Sequence, residues 1–280
     1  MLNRPPDGDE LLIEAARAYG ATIKHAMRAG GQKLVALVDY EAGTAVLKVA
    51  RIDQSATDEA LKRAHREATL LATISHPNIV KGLTAAVELG RPPHAIAWLE
   101  EFLDGQDLRD IVGTPWSWQE TSRMALDIAS ALGALHANQV VHRDLSAGNV
   151  RRLTSGVYKV LDPGLARHLN LSAITGLHQP GTPGFLSPEH VQLGLTPSYA
   201  SDVFVLGILM WLALTGHLPI SPSDPNEYIN RLASGQIPSI AAFRPDLQPN
   251  QVAVVDRCLQ RQVARRYFDG LEVRAALEGI

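Results

Sequence analysis

The stretch from Val140 to Gly164 constrains this chain more than any other. It opens with Val140-Val141-His142-Arg143-Asp144-Leu145-Ser146-Ala147-Gly148-Asn149. Before it lies an apolar stripe at helical spacing (Ala125, Ile128, Ala129, Leu132 and Leu135), which predicts a helix stopping near Asn138. After it, the run from Val157 to Leu161 predicts a strand that delivers Asp162-Pro163-Gly164. In this helix–loop–strand frame Asp144 can accept a hydroxyl proton. Asn149 and Asp162 can offer oxygens to Mg²⁺, a hard cation that takes few protein ligands. Taken singly, each of these residues reads as a turn cap or a strand end.

The rest of the chain divides by periodicity. Residues 10–17 carry a weak helical pattern and are expected to form an N-terminal extension over 1–19. From Ala21 to Leu99 the pattern is mainly of strands with one helix. Leu34–Val38 and Thr44–Val49 are joined by a hairpin-like turn, Tyr40-Glu41-Ala42-Gly43. In the second strand Ala45, Leu47 and Val49 face one way, and Val46, Lys48 and Ala50 the other. Asp58–Ile74 reads as the helix, closed by His76-Pro77-Asn78, and Ile96–Leu99 as another buried strand. After Asp104-Gly105 the pattern is helical. Ser201 is the expected N-cap of an apolar Val203–Leu214 helix ending at Gly216, and Val252–Leu259 and Gly270–Leu277 are the expected closing helices. A strand-rich front and a helix-rich back predict an α+β fold of two unequal lobes, 20–102 and 103–280.

Composition removes several function classes. A net charge of −3 gives no whole-chain argument for nucleic acid or anionic membranes. Cys258 is the lone cysteine, so no internal disulfide can form, and a reducing cytoplasm is expected. The start of the chain lacks the basic and apolar blocks of a secretory signal, and Val203–Leu214 is too short to span a bilayer.

A series of blocks, in order from about Ala21 onward, resembles the eukaryotic-type protein kinase superfamily in its bacterial form. Thr44-Ala45-Val46-Leu47-Lys48 resembles the strand with the ATP-anchoring lysine, and Arg66-Glu67 the helical glutamate that pairs with it. His76-Pro77-Asn78-Ile79-Val80 follows, and Glu101-Phe102-Leu103-Asp104-Gly105-Gln106-Asp107-Leu108 resembles the hinge between lobes. The Val140–Asn149 block with Asp162 resembles the catalytic loop and its metal-binding acid. Gly181-Thr182-Pro183-Gly184-Phe185-Leu186-Ser187-Pro188-Glu189 resembles the end of the activation segment. Ser201-Asp202-Val203-Phe204-Val205-Leu206-Gly207 resembles the helix that braces the catalytic loop, and Arg266 the partner of Glu189.

The resemblance implies a strand-rich N-lobe, a helical C-lobe, ATP and Mg²⁺ as cofactors, and transfer to Ser or Thr hydroxyls of a protein substrate, autophosphorylation included. It implies Asp144, Lys48, Glu67, Asn149 and Asp162 as catalytic residues, with Asn149 and Asp162 holding the metal. For the nucleotide it implies Gly30, Gly31, Val35, Val46, Lys48 and the backbone near Glu101, with Glu100 where the family usually places an apolar or small residue. Thr182, expected to face Asp144, favours Ser/Thr over Tyr acceptors. Arg143 belongs with kinases switched on by a phosphate in the activation segment, for which Ser172 and Thr175 are candidates.

Three departures stand out. Arg28 and Lys33 occupy positions where glycines are usual, so the phosphate-cradling loop keeps Gly30 with Gly31 beside it. Pro163 replaces a phenylalanine and is expected to bias Asp162 toward an extended backbone. Ser146 replaces a lysine that touches the γ-phosphate. These departures keep a second function open, a pseudokinase scaffold regulating a partner. A third, a small-molecule phosphotransferase of the aminoglycoside or choline kinase kind, shares the His142-x-Asp144 and Gly148-Asn149 pattern but not the Ser-Pro-Glu block, Asp202 or Arg266.

Overall fold

The computed structural model describes residues 7–27, 33–52, 65, 72–163, 182–192 and 194–280. Among these, the residues up to His76 and from Val80 to Leu103 make one compact unit. Pro77–Ile79, Asp104–Pro163 and the residues from Thr182 onward make a second.

Among the described residues, the first unit holds a five-stranded antiparallel sheet with an N-terminal helix packed on its back. Helix α1 (Gly8–Tyr19) starts at Asp7, whose carboxylate accepts from the amides of Asp9 and Glu10, while Glu10 accepts from the Asp7 amide. It stops at Gly20, in the left-handed region at φ 64°. Strands β1 (Thr22–Met27), β2 (Lys33–Tyr40), β3 (Gly43–Arg51), β4 (Val87–Leu89) and β5 (Ala95–Glu101) run in the order β1-β2-β3-β5-β4. The expected hairpin is present: Tyr40 pairs with Gly43, and Glu41 takes the turn at φ 51°.

Alternation then sorts the side chains. Ala36, Val38, Ala45, Leu47, Val49, Ala97 and Leu99 turn to one face and form a core with Leu11, Leu12, Ala15 and Ala16 of α1. Burying each of the two helix leucines contributes about 2 kcal/mol. Residues 8–19, expected as an extension, are thus built into the core of this unit. The sequence pattern showed the helix but not the sheet face that it covers. The Tyr19 hydroxyl closes the arrangement, lying 2.8 and 2.7 Å from the carbonyls of Ala85 and Ala97.

The second unit is mainly helical. A small sheet of β6 (Gly105–Asp107), β7 (Val150–Leu153) and β8 (Tyr158–Val160) is antiparallel, with Ile79 bridging in parallel to Val160. Short α2 (Leu108–Ile111) precedes α3 (Trp118–Ala137). The box of Ser117 and Glu120 opens α3 and Asn138 ends it, with the expected stripe fully buried. Next come α4 (Pro188–Val191), α5 (Tyr199–Thr215), α6 (Pro225–Ser234), α7 (Pro249–Cys258) and α8 (Gly270–Glu278).

Helix α5 is buried all round from Ala200 to Leu214, as an apolar helix without a polar face must be. Gly216 ends it at φ 79°, as expected. Its start differs from expectation. Ser198 is the N-cap and Ser201 lies inside the first turn, because Ser201 Oγ reaches back to accept from the Ser198 amide at 3.0 Å. Helix α8 packs tightly on α3. A Cβ on Gly270 would lie 2.4 Å from the Gly133 nitrogen and 2.5 Å from the Ala129 carbonyl, so only glycine fits. Among the described residues no helix is long and apolar enough to cross a membrane.

Candidate active site

The loop between α3 and β7 is suspended from one buried carboxylate. Asp202 on α5 accepts from the amides of His142 at 2.8 Å and Arg143 at 3.0 Å. It also lies 3.0 Å from His136 Nε2 on α3. His136 Nδ1 accepts from the Gly270 amide at 3.2 Å, so Nε2 carries the proton and donates to Asp202. Burial pushes the Asp202 carboxyl up. The hydrogen bonds from His136 and the His142 backbone outweigh it and hold the group below the usual carboxylate range. These bonds keep Arg143 in the left-handed region at φ 61°, a conformation that costs a non-glycine residue on the order of 1 kcal/mol.

His142 is wholly buried and serves as a strut. Its Nε2 donates to the Leu161 carbonyl at 2.9 Å, and its Nδ1 accepts from the Asp144 amide at 3.3 Å. Burial holds the imidazole below its ordinary range, so the ring is neutral and its two nitrogens have opposite roles.

Hydrogen bonds to backbone groups bring Asn149 to Asp144 and to Leu161, the residue before Asp162. Asn149 Nδ2 donates to the Asp144 carbonyl at 2.7 Å, and the Asn149 carbonyl accepts from the Leu161 amide at 2.8 Å. That second bond leaves Asp162, the next residue, beside Asn149. With its Nδ2 committed to Asp144, Asn149 presents its amide oxygen elsewhere. An amide oxygen and a carboxylate fit Mg²⁺, which fills its remaining positions with water and phosphate oxygens. Asp162 takes φ 50°, not the extended backbone expected before Pro163. The proline disfavours the right-handed helical region, and aspartate is one of the few residues that tolerates the left-handed alternative.

Thr182 supplies the contact expected of it. Its Oγ1 donates to Asp144 Oδ1 at 2.9 Å. Beyond it, Glu189 of α4 meets Arg266 in a two-pronged ion pair, Nη1 to Oε2 at 2.9 Å and Nη2 to Oε1 at 2.7 Å. The guanidinium also donates to the carbonyls of Gln260, Ala200 and Arg261, so each of its N–H groups is used. Ser201 Oγ donates to Glu189 at 2.9 Å and ties the pair to α5.

In the first unit, Lys48 lies on the sheet face opposite α1. Val35 pairs with Lys48 and Lys48 with Trp98; Leu37 pairs with Val46 and Val46 with Glu100. Directly opposed residues share a face, so Val35, Val46, Lys48, Trp98 and Glu100 stand together. Lys48 Nζ lies 2.6 Å from Glu100 Oε2. The Glu101 amide donates to the Lys81 carbonyl at 3.0 Å, so what Glu101 can offer an adenine edge is at most its carbonyl. The expected sites at Gly30, Gly31, Glu67, Ser172 and Thr175 lie outside the described residues.

Sequence reasoning missed the parts played by His136 and Glu100. The i to i+66 link from His136 to Asp202 has no local signal. Glu100 had one, a charge directly after the apolar run Ala95–Leu99, but its partner could not be read from it.

A loop hung from a helix aspartate, an Asn–Asp pair at its exit and a buried Glu–Arg brace define the helical half of a protein kinase. Residues 33–269 match the family model for the protein kinase domain, and the chain belongs to that family. It is 30% identical over 226 residues to the probable serine/threonine-protein kinase PknB of Lactococcus lactis, covering 80% of this chain and 35% of that protein. It is 30% identical over 292 residues to the serine/threonine-protein kinase PkaA of Streptomyces coelicolor, covering 98% of this chain and 51% of the relative. The chain thus spans about a third to a half of these relatives. Among solved structures, the PknI kinase domain of Mycobacterium tuberculosis shares the fold. In one of its crystal structures the TM-score is 0.71 at 23% identity, over 93% of this chain and 95% of that one.

Proposed function

We propose that this chain transfers the γ-phosphate of ATP to serine or threonine hydroxyls of proteins, its own chain included. The observation that carries this reading is the Thr182–Asp144 hydrogen bond. A threonine hydroxyl donates to the carboxylate at 2.9 Å, the geometry that an acceptor hydroxyl needs for its proton to be taken. The names of the relatives support the same class.

In this reading Asp144 orients the acceptor and takes its proton. Lys48 holds the α- and β-phosphates, steadied by Glu67, and Val35 and Val46 cover the adenine. Gly30 and Gly31 approach the phosphates, and the Glu101 carbonyl accepts from the base. Asn149 and Asp162 would hold Mg²⁺, which supplies charge neutralisation on the β- and γ-phosphates. The lone thiol of Cys258 and the need for ATP fit the cytoplasm.

The test is radiolabel transfer from ATP by wild type and Asp144→Asn. Loss of a general base commonly costs about 10²–10⁴ in rate, so the variant is expected to fall to background. Equal counts from both would overturn the reading in favour of a scaffold. ATP consumption with small alcohols or aminoglycosides, but with no protein acceptor, would move it to small-molecule transfer.

A further inference from the structure

The Lys48 face carries a charge that an ordinary strand would avoid. Glu100 lies on β5 between Leu99 and Glu101, paired across the ladder with Val46, and its side chain is 6% exposed; that of Lys48 is 9% exposed. A buried carboxylate costs several kcal/mol unless each oxygen finds a donor. Here each does. Trp98, directly opposite Lys48, donates its indole Nε1–H to Oε1 at 2.7 Å, and Lys48 Nζ approaches Oε2 at 2.6 Å. The three residues sit on adjacent, fully hydrogen-bonded strands, so their backbones are fixed relative to one another.

We infer that Glu100 is a positioning residue for Lys48. With Trp98 it forms a clamp, borne by the sheet itself, that holds the ammonium at the phosphate-binding face. The inference rests on the kinase reading of Lys48 and adds to it a second anchor, independent of Glu67. Glu100 takes one of the three Nζ protons. The indole keeps the carboxylate from rotating, so the flexible lysine chain is ordered before nucleotide arrives.

The experiment is a double-mutant cycle of Lys48→Met and Glu100→Gln, read in two ways. Without nucleotide, each single variant is expected to lower the melting temperature, and the double variant to fall by less than their sum. With MgATP, followed by calorimetry, Glu100→Gln is expected to weaken binding about five- to tenfold, the cost of ordering a lysine chain that lacks this anchor. In the Lys48→Met background the same change should alter binding less than about twofold. Trp98→Phe keeps a ring and removes the donor, and is expected to weaken MgATP binding about two- to threefold. It serves as the test if Glu100→Gln does not fold.

Additive melting shifts would overturn the inference, since the pair would then not exist. Coupled melting with unchanged or tighter MgATP binding would also overturn it, because Glu100 would then be structural or a competitor of the phosphates. A wild type that binds no MgATP would remove the kinase reading itself and the inference with it. That control, read first, tells the two failures apart.

Discussion

Replacing Arg266 with methionine tests how much of the fold hangs on the Glu189 pair. The guanidinium is buried and donates to both Glu189 oxygens and to three backbone carbonyls. Methionine fills much of the volume but leaves Glu189 as a buried charge with Ser201 as its remaining donor among these contacts. Breaking a buried pair in this way costs about 3–5 kcal/mol, a large share of the roughly 5–15 kcal/mol that a domain has in total. For a chain of this size the melting temperature should fall by about 6–20 °C.

Circular dichroism melts of wild type, Arg266→Met, Glu189→Gln and the double variant measure it. The double variant should lose less than the sum of the singles, since it buries no unpaired charge. The pH dependence follows from the carboxyl. Burial pushes Glu189 up, but the hydrogen bonds and charge of Arg266 pull it further down, below its ordinary 4.5. A depressed folded pKa means that the stabilisation is complete above the unfolded value and is lost as pH falls through the folded one. The stability gap between wild type and Glu189→Gln should therefore hold from pH 7 to about 5 and close below about 4.5. A melt of Arg266→Met within about 2 °C of wild type, or strictly additive shifts, would refute the reasoning.

Two further outcomes follow from packing. Gly270→Ala should destabilise the chain by about 3 kcal/mol, seen in urea unfolding, because its methyl would fall on the backbone of α3 at Gly133 and Ala129. A variant as stable as wild type would mean that α8 can slide away from α3 at little cost. Cys258 is buried and its thiol is pushed up to about 12 by burial. It should therefore resist a thiol reagent such as DTNB at about pH 8 until denaturant is added; rapid labelling of the native chain would contradict that packing.

Local pattern carried much of this architecture. The strand alternation around Lys48, the α3 stripe and the Gly216 stop were legible because each is set by neighbours within a few residues. The catalytic loop was legible because its chemistry needs particular residue types at fixed intervals. What could not be read depends on distant partners. Ser201 looks like a cap by local rules, yet its hydroxyl serves the Ser198 amide and Glu189 at once. Asp162 should be extended by the rule for residues before proline, but next to the bond from Leu161 to Asn149 it takes a positive φ, which aspartate tolerates. The helix of residues 8–19 gave a weak signal because its role is to cover a face formed by strands far along the chain. Glu100 was visible as an oddity, and only the register of β3 with β5 shows what it meets.

Helix α1 has a practical consequence for anyone preparing this protein. The match to the family model runs from residue 33 to 269, and a fragment trimmed to those limits would discard α1, β1 and α8. The back of the sheet would then meet water as a continuous aliphatic plate, and α3 would lose the neighbour that its glycine contact accommodates. Such a fragment would clump before any chemistry could be assayed, and its silence would be mistaken for that of an inactive enzyme.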